Sequence, residues 1–97
     1  MDDKKTHDVY TDELYVVTRI KWEIDPENDY RYIEEHDVSI AFRRKFDARK
    51  FAEANAATIF PMYPFLWYED SYLGSVFDVS TGSTYGVRYE VEGAIMY

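Results

Sequence analysis

"DARKFAEANAATIFP", Asp47 to Pro61, decides the fold. Ala48, Phe51, Ala52, Asn55, Ala56 and Ile59 recur at steps of three and four, which places them on one face of a helix. Asp47 is positioned to cap that helix by accepting backbone N–H bonds at its start. Pro61 has no N–H to donate and stops it. Alanines dominate the face, and so narrow a face suits close packing onto a sheet.

Upstream the period is two. Leu14, Val16, Thr18, Ile20, Trp22 and Ile24 point one way, with Arg19, Lys21 and Glu23 pointing the other, the pattern of a half-buried strand. "DPEND" (25–29) breaks it with turn-forming residues. Val38, Ile40 and Phe42 then alternate inward against Ser39, Ala41 and Arg43, in a strand whose start lies as early as Tyr30 or Tyr32. Downstream, residues 65–68 and 72–79 read as one extended run kinked or bulged at Glu69–Ser71. "STGS" (80–83) is a turn. The last strand alternates Tyr85, Val87, Tyr89, Val91, Gly93, Ile95 and Tyr97 against Arg88, Glu90 and Glu92. The order β-β-α-β-β predicts an α+β fold: one helix packed on one face of a four-stranded, mostly antiparallel sheet. Ninety-seven residues fit a single domain, 1–97, with 1–12 as a frayed terminus.

Composition narrows the function. There is no cysteine, so disulfides, thiolate zinc sites and cysteine nucleophiles are excluded. No apolar run is long enough to span a bilayer, and no apolar stretch follows the first lysines as in a secretory signal, so a soluble cytoplasmic protein is expected. The net charge of −8 argues against direct binding to nucleic acid or an anionic membrane. It suits a basic surface on another protein.

Catalytic motifs are missing. The four glycines form no phosphate loop, and no Gly-x-Ser-x-Gly elbow or His-Glu metal motif occurs. Glu35, His36 and Asp37 are adjacent on a strand, so they alternate in direction and do not converge without a loop. "DPENDYRYIEEH" (25–36) spaces its carboxylates like a calcium loop but lacks the glycine and glutamate an EF-hand needs. The expectation is no enzyme, no cofactor and no metal. A small enzyme or ligand-binding domain would have to work near His36 or the aromatic segment.

Two stretches read as partner-binding. Residues 25–37 hold six acids, Asp25, Glu27, Asp29, Glu34, Glu35 and Asp37, against one base, with Tyr30 and Tyr32 among them. Carboxylates there can stand in for phosphates, and tyrosines for stacked bases, on a nucleic-acid groove. The basic run 43–50 reads as intramolecular pairing or a solvated face. The second stretch, "PMYPFLWYEDSYLG" (61–74), adds Trp67, Tyr68, Glu69, Asp70 and Tyr72. Phe65 and Trp67 share one face, Leu66 and Tyr68 the other, and a lone helix covers only one. Tyr15 and Val17 in the first strand show the same surplus. Either the surplus aromatics form a partner or homodimer surface, or residues 61–68 wrap the helix end as an irregular lid.

In size, acidity, tyrosine richness and single-domain α+β layout, the chain resembles the small phage-encoded anti-defence proteins, anti-CRISPR proteins among them. The resemblance is one of whole-chain character. It implies an inhibitor acting in the host cytoplasm, which occludes a CRISPR effector or another nucleic-acid-binding host protein. The alternative expectation is an intracellular interaction or assembly module, a homodimer through its aromatic sheet surface.

Overall fold

The computed structural model describes residues 12–29 and 31–96. Residues 1–11, most of the expected frayed terminus, and Tyr30, an expected contact residue, lie outside them. The elements are β1 (Asp12–Asp25), a 3-10 turn (Pro26–Asn28), β2 (Arg31–Phe42), α1 (Lys45–Ile59), β3 (Leu66–Tyr68), β4 (Ser71–Asp78) and β5 (Ser83–Met96). They form one sheet in the order β2-β1-β5-β4-β3, antiparallel at every pairing. The α+β class with one helix holds, and the strand count is five rather than four.

The extra strand comes from Glu69–Asp70. This pair is a two-residue hairpin loop between Tyr68 and Ser71, not a kink. The reversal needs a left-handed residue, and Glu69 supplies it at φ 56°. Glycine or asparagine usually marks such a position, so a glutamate there hides the turn. The loop is tied to the helix: Asp70 pairs with Lys45 at 3.0 Å and Arg49 at 3.3 Å, and Arg49 also donates to the Glu69 carbonyl. Lys50 lies 3.6 Å from Glu53. Much of the basic run is thus paired within the molecule.

The helix starts three residues earlier than expected, and Asp47 is not its cap. Arg44 holds the capping position, with extended backbone and no side-chain acceptor for the helix's first N–H groups. Asp47 instead sits in the first turn, where the helix dipole favours a carboxylate, and accepts from Arg44 Nε at 3.2 Å. The chain leaves through Phe60, whose N–H bonds the Ala56 carbonyl just before Pro61.

Ala48, Ala52 and Ala56 pack on Val17, Val87, Tyr89 and Val91 to form the core. Residues directly opposite across an antiparallel pair share a face. Val17 opposes Val91 and Arg19 opposes Tyr89, so α1 covers the Tyr15–Val17–Arg19 side of β1. The surplus face is therefore the one carrying Leu14, Val16, Ile20, Trp22 and Ile24, the reverse of the assignment for Tyr15 and Val17. Arg19 disguised the covered side. Its guanidinium is satisfied there, donating to Asn55 at 2.8 Å and to both Asp37 oxygens, and it lies 5.5 Å from the Phe60 ring centroid.

Aromatic rings extend the core sideways. Phe60, Tyr63, Phe65, Tyr72 and Trp67 follow one another with centroids 5.4, 6.1, 4.9 and 4.7 Å apart. Phe65 lies so close over Gly74 that a Cβ there would meet its ring at 3.0 Å. Residues 61–68 therefore do both things expected of them. Tyr63, Phe65 and Trp67 wrap the end and flank of the helix side, while Met62, Leu66 and Tyr68 are exposed.

Candidate functional site: the open sheet face

The face that α1 leaves uncovered is built by register. Trp22 opposes Glu34 on β2 and Gly86 on β5, Leu73 opposes Arg88, and Leu66 opposes Leu73. Tyr32, Ile24, Tyr68, Ser75 and Phe77 share that face by the same alternation. At one end Trp22, Ile24, Tyr32, Leu66, Tyr68 and Leu73 surround a concavity of about 510 Å³, with Arg88 in its wall. Gly86 makes it possible. The Trp22 indole lies across the Gly86 backbone, where a Cβ would come within 1.9 Å of it. Trp22 also stacks on Tyr32, with ring centroids 5.8 Å apart.

The charge on this face is one-sided. Around the concavity, Glu34, Glu90 and Glu92 stand with the cation Arg88. That cation is engaged, donating to Glu90 at 2.7 Å, Glu34 at 3.0 Å and the Tyr32 hydroxyl at 3.4 Å. Burial works to lower the Arg88 pKa, but Tyr32 and the two carboxylates outweigh it and the net shift is upward. Glu34 accepts from the Tyr32 hydroxyl at 2.8 Å, from Arg88, and lies 3.3 Å from His36 Nε2. Tyr32 first, then Arg88 and His36, hold its pKa down to about 2. A carboxylate so depressed stays an anion and is a poor general acid. Among the described residues no three His, Cys, Asp or Glu side chains form a group able to hold a metal.

The six acids of residues 25–37 do not form one surface. Asp25 accepts from the Glu27 N–H at 2.9 Å, and Glu27 and Asp29 are exposed at the tip of the β1–β2 hairpin. Glu34 is on the open face. Glu35 and Asp37 are on the opposite side by simple alternation from Glu34, and Asp37 is the residue left unpaired where the register shifts between Arg19 and Ile20. Asp37 there meets Arg19 at 2.8 Å and Lys21 at 3.3 Å, while Glu35 lies 4.0 Å from Lys21. Arg19 chiefly, with Lys21, holds the Asp37 pKa down.

The second stretch divides too. Trp67 and Tyr72 face the helix; the Arg49 guanidinium sits 3.7 Å above the Trp67 ring, and Trp67 Nε1 donates to Glu53 at 2.8 Å. Tyr68 reaches the open face, and Glu69 and Asp70 form the hairpin loop. Sequence reasoning missed Trp22, Ile24, Leu66, Leu73, Arg88, Glu90 and Glu92 as one surface. The available signal was Gly86, the lone glycine interrupting the last strand's outward row, which calls for a bulky neighbour lying across it. Comparison with protein-family models, with curated proteins and with solved structures returns no match.

Proposed function

We propose that this protein is a non-enzymatic binding inhibitor that docks its open sheet face on a basic surface of a nucleic-acid-handling host defence protein. The observation that carries this reading is the pairing of an apolar, aromatic concavity with an acidic strip in which Arg88 is already engaged by Glu34 and Glu90. Such a surface repels phosphate and suits Lys or Arg beside an apolar anchor, with complementary charge setting orientation and encounter rate. Leu66 and Tyr68 at the rim are 62% and 58% exposed, which is large for apolar side chains with no partner. The choice of a CRISPR effector as partner rests on the chain's resemblance to anti-defence proteins. Inhibition is then occlusion of the groove that otherwise holds nucleic acid.

The test is binding to a panel of purified CRISPR effectors, with and without guide and target nucleic acid. One effector should bind, nucleic acid should compete, and affinity should fall as salt rises. Leu66→Asp with Tyr68→Ala, and separately Glu90→Lys with Glu92→Lys, should each weaken it at least about tenfold, as loss of a hot-spot anchor or a charge match does. If replacing Asp25, Glu27 and Asp29 abolishes binding while the face variants do not, the hairpin tip is the contact and this reading of the face is wrong. Failure across the panel removes the anti-CRISPR assignment.

A further inference from the structure

The outer edge of β2 is a separate surface. β2 is twelve residues long, stands at the end of the sheet, and pairs only with β1 among the described residues. A long edge strand presents a row of unpaired backbone groups and invites another strand. Its exposed side chains include Ile33 and Ile40, at 45% and 41%, both on the helix side of the sheet.

We propose that a second copy of this chain covers that edge, β2 pairing antiparallel with β2 about a two-fold axis through the bulge at His36–Asp37. The bulge puts the two halves of β2 one residue out of phase. Ile33 and Glu35 share the helix side with Val38, Ile40 and Phe42, while Tyr32 and Glu34 share the open side with Ser39 and Ala41. An antiparallel self-pairing that runs the length of the strand, across the bulge, therefore matches faces when the first half of one copy meets the second half of the other. Full overlap of Arg31–Phe42 with itself does so. It sets Ile33 against Ile40 of the second copy, Glu35 against Val38, Glu34 against Ser39 and Tyr32 against Ala41.

Charge favours the same register. Acids on an edge strand ordinarily discourage pairing, but here Glu34 and Glu35 face neutral residues and Asp37 is already bound to Arg19 and Lys21. Beyond the paired span, Asp29 at the acidic hairpin tip comes level with Arg44 of the second copy. Lys45, Arg49 and Lys50 are paired within their own copy, so this contact at the strand ends adds to the match of faces rather than replacing it. A two-fold interface must be self-complementary in this way. The result is a continuous ten-stranded sheet with both helices on one side and both open faces on the other.

The chain lacks cysteine, so designed thiols report the register without background. Sedimentation should give twice 11.6 kDa for the wild type at high-micromolar concentration, and the monomer mass for Ile33→Lys with Ile40→Lys. Chains carrying Ile33→Cys and Ile40→Cys together should form intermolecular disulfides on mild oxidation, because opposed Cα atoms lie about 4.5–5.5 Å apart. Within one chain the two positions are about 23 Å apart, so no internal bridge can form. Either substitution alone should cross-link far less. Circular dichroism and the Tyr68→Ala variant serve as controls for fold and for the open face. A monomeric wild type, a dimer that survives the lysine variants, or single-site variants that cross-link as readily as the pair would each overturn the proposal.

Discussion

At the scale of single residues, two contacts make the open face what it is. The first is Trp22 against Gly86. Gly86→Ala places a methyl 1.9 Å from the indole, so the ring must leave its seat and its stack on Tyr32. The expected cost is about 1–3 kcal/mol, as for other overpacked sites. Thermal unfolding should show it, accompanied by a change in tryptophan fluorescence, and the cost should shrink in a Trp22→Leu background because the two sites couple. The second is Glu34. Its pKa in the folded protein is about 2 against an ordinary 4.5, so the stability its bonds to Tyr32 and Arg88 contribute is fully present above about 4.5 and is lost as pH falls from there through about 2. The melting temperature should drop more steeply over that window in the wild type than in Glu34→Gln; equal slopes would mean that Glu34 is not held as described.

At the scale of elements, regular patterns were legible and their ends were not. The alanine face of α1 and the alternation of β1, β2 and β5 follow from side-chain periodicity, which a single sequence records directly. The helix start does not. Asp47 has the right chemistry for a cap, yet Arg44 takes the position because the chain turns out of β2 within two residues, and tertiary connection overrides the local preference. That leaves α1 without a side-chain cap. Arg44→Ser should supply one, gaining about 1 kcal/mol. The Arg44–Asp47 pair lost in exchange is largely solvent-exposed, at 76% and 44%, and exposed pairs contribute about 0–1 kcal/mol. A melting temperature raised by a few degrees, measured at dilute protein, is the expected outcome, and a lowered one would mean that Arg44 holds more than its ion pair. The β3–β4 hairpin was missed for a related reason. Its loop is read from a backbone angle at Glu69 that a glutamate does not advertise.

At the scale of the whole molecule, which face of the sheet is covered could not be read from β1, because both of its faces carry apolar groups and the covered one also carries Arg19. The packing of the helix alanines on Val17 settles it, and Asn55 and Asp37, distant in sequence, satisfy the guanidinium there. The candidate site was hidden with it, since Trp22 and Ile24 look like core until the helix is seen on the other side. Length completes the picture. A fifteen-residue helix spans about 22 Å and a fourteen-residue strand about 46 Å, so α1 can cover at most roughly half of β1. The core residues Val17, Tyr89 and Val91 are under it, while Glu23, Ile24 and Asp25 lie beyond it toward the hairpin tip. Stability within one cooperative sheet should be graded accordingly. Amide hydrogen exchange is expected to be slowest at Val17–Ile20, Tyr89–Val91 and Ala52–Ala56, and faster by about tenfold or more at Glu23 and Ile24 despite pairing on both sides. Uniform protection along β1 would mean that the far half is held by something other than the helix, and the concavity over Trp22 and Tyr32 would then be part of a rigid surface rather than of the looser end of the sheet.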